Sequence, residues 1–472
     1  MKNILYTLTG LMPLTCLAEN SAVNEANEKN ERPNVLFIVV DDLRPELGCY
    51  GVEQIKSPNI DKLAAESYFF ERSYCNIPVS GASRASIFTG VRSHKNTFLT
   101  AASWMDKDAK DAITLPELLR NSGYYTATES KVFHHATDKV SSWDYRYREQ
   151  NDSKDPDAWK DYVLFKKKGI KGEKTPAYEC ADVDDQGYID GRTAERAIKK
   201  LRELKQSGKP FFYGVGFLKP HLPFNAPKKY WDLYNPDEIK LPENYRTDFP
   251  GIPQCAFHNS GELRTYADIP KERLFDEKFA KNLIHGYYAC VSYVDAQVGK
   301  VLDELKRLEL DKNTIVILIG DHGWNLGEHA MWNKHCNFST SIEAPLMIKL
   351  PGKKGKKVKS VVEFVDIYPT VCELCGIEKP ENQLQGESLL PAMEKPDKIV
   401  QDYAISKFKN GLTLITPQYT YTEWLDANDN VRNRMLFDIK KDKYEDNNLS
   451  EKPEMASMVK EFSEMLRKER GY

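Results

Sequence analysis

The sequence has almost no excess charge of either sign, with 67 basic and 70 acidic side chains and a formal net charge of −3. A chain balanced in this way has no general attraction for nucleic acid, so no nucleic-acid partner is expected, and a polyanionic ligand would need a local basic site. Beyond residue 17 no apolar run approaches the length of a membrane span. Internal repeats are absent, and the eight cysteines after Cys16 lack the spacing of a disulfide framework. The remaining expectation is a large globular protein, and 472 residues with 41% hydrophobic content suit two domains.

The N-terminal region has the composition of an export signal. A basic start at Lys2 is followed by an apolar run over residues 4–17 and small residues around Ala18. This pattern predicts a signal peptide over residues 1–18 and an exported protein, periplasmic or secreted. The polar residues 19–32 are then expected to form a disordered leader.

The middle of the chain alternates short apolar runs with segments of helical period, which predicts an α/β fold with a mostly parallel central sheet covered by helices on both faces. The predicted strands lie at 35–40, 124–128, 211–217 and 315–319, and the predicted helices at 60–70, 114–121, 193–205 and 279–308. Two further strands, 345–350 and 360–364, are expected to be joined as a hairpin by the lysine-rich turn 351–359.

A change of character near residue 396 divides the chain. The large domain is expected over residues 33–395. Residues 396–472 contain three short strand patterns and a final helix near 453–468, which predicts a small antiparallel sheet with a helix. The strand patterns lie at 402–407, 412–416 and 419–425.

Polar side chains follow four of the predicted strands directly. They are Asp41 and Asp42, Lys131 and His134, Lys219 and His221, and Asp321 and His322. Because ligands bind outside the carboxyl ends of parallel strands, these side chains are expected to form one site. The hard oxygen donors of the three aspartates favour Ca²⁺ or Mg²⁺ over zinc.

Residues 80–90 supply a nucleophile and a cation to the same edge. Ser80 lies four residues before Arg84, and Thr89 and Gly90 follow. If a helix begins here, its free N–H groups and the guanidinium of Arg84 face one point. That arrangement favours an anion.

This segment resembles the sulfatase signature, which is Cys or Ser, any residue, Pro, any residue, Arg, and later Thr-Gly. Ala82 stands at the proline position. Four further blocks resemble the iduronate-2-sulfatase branch of that family: residues 35–44, 130–134, 219–224 and 320–334. The resemblance extends from about residue 33 to residue 449 and implies an alkaline-phosphatase-like fold.

The resemblance also implies roles for individual residues. Ca²⁺ would be held by Asp41, Asp42, Asp321 and His322 together with the oxygen of a formylglycine derived from Ser80, so a formylglycine-generating maturation enzyme is an expected partner. Arg84 would steady the hydrated aldehyde, whose attack on sulfur forms a transient sulfated residue 80.

For the substrate, the resemblance implies that Lys131 and Lys334 bind sulfate oxygens. His134 would assist the aldehyde hydrate, and His221 would bind and protonate the departing sugar oxygen. His335, beside Lys334, is expected to line the substrate pocket. A uronate carboxylate would need further cations, for which Lys219, Arg92 and His335 are candidates.

The expected function is therefore hydrolysis of a sulfated oligosaccharide by an exported sulfatase. The favoured substrate is the 2-O-sulfate of a uronic acid from heparin or heparan sulfate. One alternative is another sulfated polysaccharide, such as an algal galactan, and a second is hydrolysis of phosphate esters. A third is a non-catalytic sulfoglycan-binding protein, in which Ser80 is unmodified.

Overall fold

The computed structural model describes residues 32–155, 157–168 and 173–469. Sixteen strands lie within these ranges: β1 Asn34–Val40, β2 Tyr68–Tyr74, β3 Tyr125–Ser130, β4 Tyr145–Tyr147, β5 Tyr178–Ala181, β6 Phe211–Phe217, β7 Phe224–Pro227, β8 Thr314–Gly320, β9 Asn325–Leu326, β10 Trp332–Asn333, β11 Leu346–Lys349, β12 Lys356–Glu363, β13 Ala404–Phe408, β14 Gly411–Ile415, β15 Tyr419–Leu425 and β16 Val431–Asp438. The α-helices of the same ranges are α1 Pro58–Ala65, α2 Ser80–Thr89, α3 Met105–Asp108, α4 Leu115–Asn121, α5 Ile189–Ser207, α6 Lys228–Trp231, α7 Glu277–Arg307, α8 Ser339–Ile342, α9 Ile367–Leu374, α10 Leu390–Glu394 and α11 Ala456–Glu469.

The central sheet has eight strands in the order β12-β2-β11-β8-β1-β6-β3-β4. All neighbouring pairs are parallel except those made by β11, which runs antiparallel to β2 and β8. The carboxyl ends of β1, β3, β6 and β8 therefore meet at one edge of the sheet. The predicted α/β class with a mostly parallel sheet is confirmed.

Helices cover both faces of this sheet. Strand β1 is buried along its whole length, and its alternate side chains enter two separate apolar clusters. One cluster joins the strand to α5 and α7, and the other joins it to α2, α4 and α9. Because both faces are dry, the strands are continuous apolar runs, which is why their positions could be predicted.

The C-terminal strands form a separate antiparallel sheet in the order β13-β14-β15-β16. Helix α11 packs on one face through Val459, Phe462 and Leu466. On the other face Trp424 and Phe437 join a cluster that includes residues next to β10. The predicted small sheet with a helix is confirmed, whereas a domain boundary at residue 396 stays a prediction.

Two local predictions are wrong. The helix predicted over 60–70 ends at Ala65, and residues 68–74 form the strand β2. The two strands around the lysine-rich segment do not form a hairpin, because β2 lies between β11 and β12. Lys356 and Lys357 belong to β12, the edge strand, where charged side chains discourage pairing with other chains.

The N-terminal predictions fall outside the described ranges. The signal peptide over residues 1–18 lies wholly outside them, and so does all but the last residue of the leader over 19–32. Among the residues that the structure describes, no helix combines the length and the apolar character that crossing a membrane requires.

Candidate functional site

The acid cluster of the site is built by two neighbouring parallel strands. Val40 at the end of β1 pairs with Gly320 at the end of β8, so the residues that follow each strand lie side by side. The backbone N–H of Asp42 donates to Oδ1 of Asp321 at 3.0 Å. Asp41, Asp42 and Asp321 are all fully buried, as the strand ends predicted.

Helix α2 places its first residue, Ser80, against this cluster. Ser80 Oγ lies 2.8 Å from Nε2 of His322 and donates to Oδ1 of Asp41 at 3.3 Å. One turn later, Arg84 donates to Asp321 from Nε at 2.9 Å and to Asp41 from Nη2 at 3.0 Å. The helix start and the convergence predicted for residues 80–84 are therefore both present.

The pKa values of the consecutive aspartates Asp41 and Asp42 shift in opposite directions. Burial alone would raise the pKa of Asp41, but Lys131 and Arg84 hold that pKa well below its usual range. Burial raises the pKa of Asp42, even though His221 and Lys334 are its neighbours. An aspartate whose ionised form remains unfavourable beside a lysine has room for a further positive charge.

The donor set fits a divalent cation. Asp42, Asp321 and His322 offer ligand atoms that all lie within 4.8 Å of one another, and Asp41, Asp42 and His221 form a second such group. Nδ1 of His322 faces the carbonyl oxygen of Gly323 at 2.9 Å, so it carries the proton in the neutral ring. The lone pair of Nε2 is then available as a cation ligand, with Oγ of Ser80 2.8 Å away and Oδ1 of Asp42 3.4 Å away.

The predicted lysines flank this cluster. Lys131 follows β3 and forms an ion pair with Asp41. Lys334 follows β10, and its Nζ lies 3.0 Å from Oδ2 of Asp42. Burial alone would lower the pKa of Lys334, but the carboxylates of Asp42 and Glu262 raise it.

His221 lies in the loop after β6, in which the Lys219–Pro220 and Leu222–Pro223 peptide bonds are cis. Nδ1 of His221 donates to the carbonyl oxygen of Leu222, and Nε2 lies 3.1 Å from Oε1 of Glu262. Both ring nitrogens thus face oxygen acceptors. Lys334 and His221 hold the pKa of Glu262 well below its usual range despite burial, so Nε2 of His221 faces an ionised carboxylate.

His134 and His335 occupy drier positions. Burial, followed by repulsion from Lys131, lowers the pKa of His134, and its Nδ1 is buried without a hydrogen-bond partner in the described part of the chain. His335 stacks on Phe408 with ring centres 5.9 Å apart, and burial beside Lys334 lowers its pKa to about 3. Both imidazoles are therefore neutral near pH 7.

Sequence reasoning missed two carboxylates that contact the site, one at His221 and one at the loop that carries it. Glu262 lies in a loop without a motif, and besides His221 it accepts a hydrogen bond from Nζ of Lys334 at 2.9 Å. Asp190, in the first turn of α5, accepts from the backbone N–H groups of Leu218 and Lys219 at 2.9 and 2.8 Å. No sequence signal identifies Glu262, whereas Asp190 is an acid at a helix start, which is common.

Two of the cations predicted to bind a substrate carboxylate are engaged elsewhere. Lys219 Nζ donates to the carbonyl oxygens of His221 and Pro223. Arg92 forms an ion pair with the buried Glu363. Of the three candidates, only His335 remains beside the site.

Comparisons with known proteins place this geometry in context. The family model described as Sulfatase matches residues 33–377, and the model described as N-sulphoglucosamine sulphohydrolase, C-terminal, matches residues 327–471. The iduronate 2-sulfatase of Mus musculus is 33% identical over 402 residues, covering 77% of this chain and 72% of that relative.

Two solved structures share the fold. A protein in complex with its substrate D-glucosamine-2-N,6-O-disulfate has a TM-score of 0.75 and 23% identity, covering 93% of this chain and 98% of that chain. The phosphonate monoester hydrolase of Agrobacterium radiobacter has a TM-score of 0.77 and 20% identity, covering 93% and 95%. Fold alone therefore does not separate sulfate from phosphonate chemistry.

Proposed function

Because this chain belongs to the sulfatase family and hydrolyses sulfate esters, we propose that its substrate is a sulfated carbohydrate, the 2-O-sulfate of a uronic acid from heparin or heparan sulfate. The observation that carries the proposal is the meeting of Ser80, four potential cation ligands and two lysines at one buried point. A relative named iduronate 2-sulfatase supports the choice of a 2-O-sulfated uronic acid, and a structural neighbour bound to a disulfated glucosamine supports only the broader class of sulfated sugars.

The proposed nucleophile derives from Ser80. We infer that a maturation enzyme oxidises this residue to formylglycine, whose hydrate, when present, supplies the attacking oxygen. The support is its place: Ser80 begins α2 and lies within 3.3 Å of both His322 and Asp41. Arg84 holds Asp41 and Asp321 in position through two short ion pairs, so the acids that face residue 80 keep their orientation.

The proposed metal is one Ca²⁺ held by Asp41, Asp42, Asp321 and His322 with the oxygen of residue 80. Four carboxylates, counting Glu262, face three permanent cations, Arg84, Lys131 and Lys334. This arrangement has a formal charge of −1, from four carboxylates and three cations. A bound divalent cation would make it positive and attractive to a sulfate ester.

Chelation is expected to destabilise the protein. Without a cation, three buried carboxylates meet at one point and repel each other, so removal of Ca²⁺ should lower the melting temperature measured by calorimetry. Re-addition of Ca²⁺ should restore it, whereas an equal ionic strength of Na⁺ should not. An unchanged melting temperature, with no calcium found by elemental analysis, would contradict the site.

Lys131 and Lys334 are proposed to bind the sulfate oxygens. Both are buried, one against Asp41 and the other against Asp42, so they hold positive charge on two sides of the cluster that contacts Ser80. In a site from which water is excluded, fixed positive charge stabilises the negative charge that develops in the transition state.

The histidines divide the proton transfers. Nε2 of His221 lies 3.1 Å from Glu262, and His221 is proposed to donate a proton from this nitrogen to the leaving sugar oxygen. His134 is neutral, with a buried and unpartnered Nδ1, and is proposed to assist the hydrate of residue 80. His335 is proposed to line the pocket for the sugar.

The substrate assignment is tested by comparing three sulfate esters with the mature enzyme: a 2-O-sulfated uronate disaccharide, 6-O-sulfated glucosamine and sulfated galactose. A charge-assisted contact to the uronate carboxylate should make the first substrate better by at least roughly tenfold in kcat/KM. Preference for sulfated galactose would favour the alternative, a sulfatase for another polysaccharide such as an algal galactan. Binding of sulfated glycans without turnover would favour the non-catalytic alternative.

Export to the periplasm or the medium is proposed from the N-terminal segment. The hydrophobic run over residues 4–17 after Lys2 supports this proposal. Fractionation of the native host should recover a protein that begins near residue 19. Recovery of the uncleaved chain from the cytosol would contradict it.

A further inference from the structure

A small cavity of about 40 Å³ lies at the carboxyl ends of β3 and β4, separate from the acid cluster. Its polar lining comes from Thr128, Ser130, His135, Arg146, Arg148 and Asn151, and aromatic side chains complete most of the remaining walls. A cavity of only about 10–15 Å³ already holds one buried water. The cavity is therefore large enough for a small oxyanion but too small for a sugar ring.

Three polar atoms of this lining are buried without a hydrogen-bond partner in the described part of the chain. They are Oγ1 of Thr128, Oγ of Ser130 and Nε2 of His135. Buried polar groups in folded proteins almost always have partners. Three exceptions in one cavity indicate that an occupant supplies the missing acceptor.

Two arginines, the half-buried Arg148 and the exposed Arg146, add positive charge to the cavity. Arg148 Nη1 donates to the carbonyl oxygens of Phe133 and His134, at 3.3 and 2.8 Å, and Arg146 Nη1 donates to that of Ala136 at 3.0 Å. Neither arginine forms an ion pair with any residue that the structure describes, and none of the described lining residues is acidic. Burial and the nearby Arg84 lower the pKa of Arg148 to about 10, so a bound anion would stabilise its charge.

The cavity shares a wall with the proposed sulfate site. Ser130 precedes Lys131 in the chain, and the ring of His135 contacts the ring of His134 at right angles with centres 4.7 Å apart. Arg148 holds the carbonyl oxygen of His134. The segment 130–135 thus presents Lys131 and His134 to the sulfate site while Ser130 and His135 line the second cavity.

We propose that this cavity binds a second oxyanion, of the carboxylate or sulfate class, beside the sulfate that is hydrolysed. Two guanidinium groups suit such a ligand, and the two hydroxyls and the imidazole can also donate to it, whereas the positive charge disfavours a cation. The oxyanion has two possible sources, a second acidic group of the substrate or a free inorganic anion. The first source rests on the proposed function, and the second does not.

The kinetic test compares the wild type with Arg148→Gln on a monoanionic aryl sulfate and on a 2-O-sulfated uronate disaccharide. If the substrate supplies the oxyanion, KM for the disaccharide rises at least roughly tenfold, while KM for the aryl sulfate changes far less. Arg148→Lys, which keeps the charge, should recover part of the loss. Arg202→Gln, which removes an arginine that pairs with Glu304 at the opposite edge of the sheet, is the matched control.

The binding test follows the melting temperature as inorganic sulfate is added. If the cavity takes a free anion, the stabilisation seen in the wild type is reduced in Arg148→Gln, and both substrates respond equally to the substitution. This test remains informative when no sulfate ester is hydrolysed. Failure of the oxyanion proposal can therefore be distinguished from failure of the proposed function.

Thr128→Val is a second variant that is expected to fold even if Arg148→Gln does not. It removes a hydroxyl that has no partner, so the protein without anion should be at least as stable as the wild type, while the response to the oxyanion weakens. The proposal is overturned if Arg148→Gln and Thr128→Val leave both the ratio of KM values and the sulfate-dependent stabilisation unchanged.

Discussion

Replacing Ser80 with alanine is expected to reduce sulfate-ester hydrolysis by about four orders of magnitude or more, because it removes the only proposed source of the attacking oxygen. The fold should be preserved, since alanine is smaller and favours helices more strongly than serine does. Initial rates on an aryl sulfate and on a sulfated sugar measure the loss, and both substrates should be affected equally.

Ser86→Ala is the matched control for this experiment. Ser86 is a buried serine of the same helix, and its hydroxyl donates to the carbonyl oxygen of Val91 at 2.7 Å, away from the acid cluster. It should retain most of the activity. Substantial hydrolysis by the Ser80 variant would show that the nucleophile lies elsewhere.

His221→Ala is expected to have the second largest effect, and one that depends on the leaving group. A sugar alkoxide leaves poorly, so loss of the proton on Nε2 should slow hydrolysis of a sugar sulfate by roughly two to four orders of magnitude. A phenolate leaves unaided, so an aryl sulfate should lose far less. The measurement is kcat for both substrates with each variant.

His285→Ala provides a control of matched residue type and burial, since His221 and His285 are each 9% exposed. His285 contacts the carbonyl oxygen of Trp231 at 2.8 Å and takes no part in the site. Its loss should affect stability and leave the ratio of the two rates unchanged. Equal losses on both substrates in His221→Ala would assign that residue a role other than proton donation.

The part of the site that could be predicted lies at the strand ends. Strands β1 and β8 are buried on both faces, so their apolar runs end abruptly at Asp41 and Asp321 and mark the edge where ligands bind. The segment at Ser80 carried a motif as well. At such positions the local sequence pattern and the overall fold favour the same structure.

The parts that could not be predicted depend on tertiary contacts. Strand β2 has Glu71 and Arg72 in its middle and lacks the apolar–polar alternation of a half-buried strand. Its first residues therefore fit the helical pattern predicted over 60–70. Glu262 reaches His221 and Lys334 from a loop whose course is set by distant packing. Arg148 lies in no motif, and its lack of an acidic partner among the described residues depends on tertiary contacts that the sequence does not show.

The mass of the peptide that contains residue 80 tests the central claim most directly. Oxidation of Ser80 to formylglycine removes two hydrogen atoms, so the peptide from active enzyme should be about two mass units lighter than the unmodified sequence. The lighter fraction should increase in proportion to specific activity across preparations. A fully active preparation whose peptide carries only unmodified serine would contradict the account.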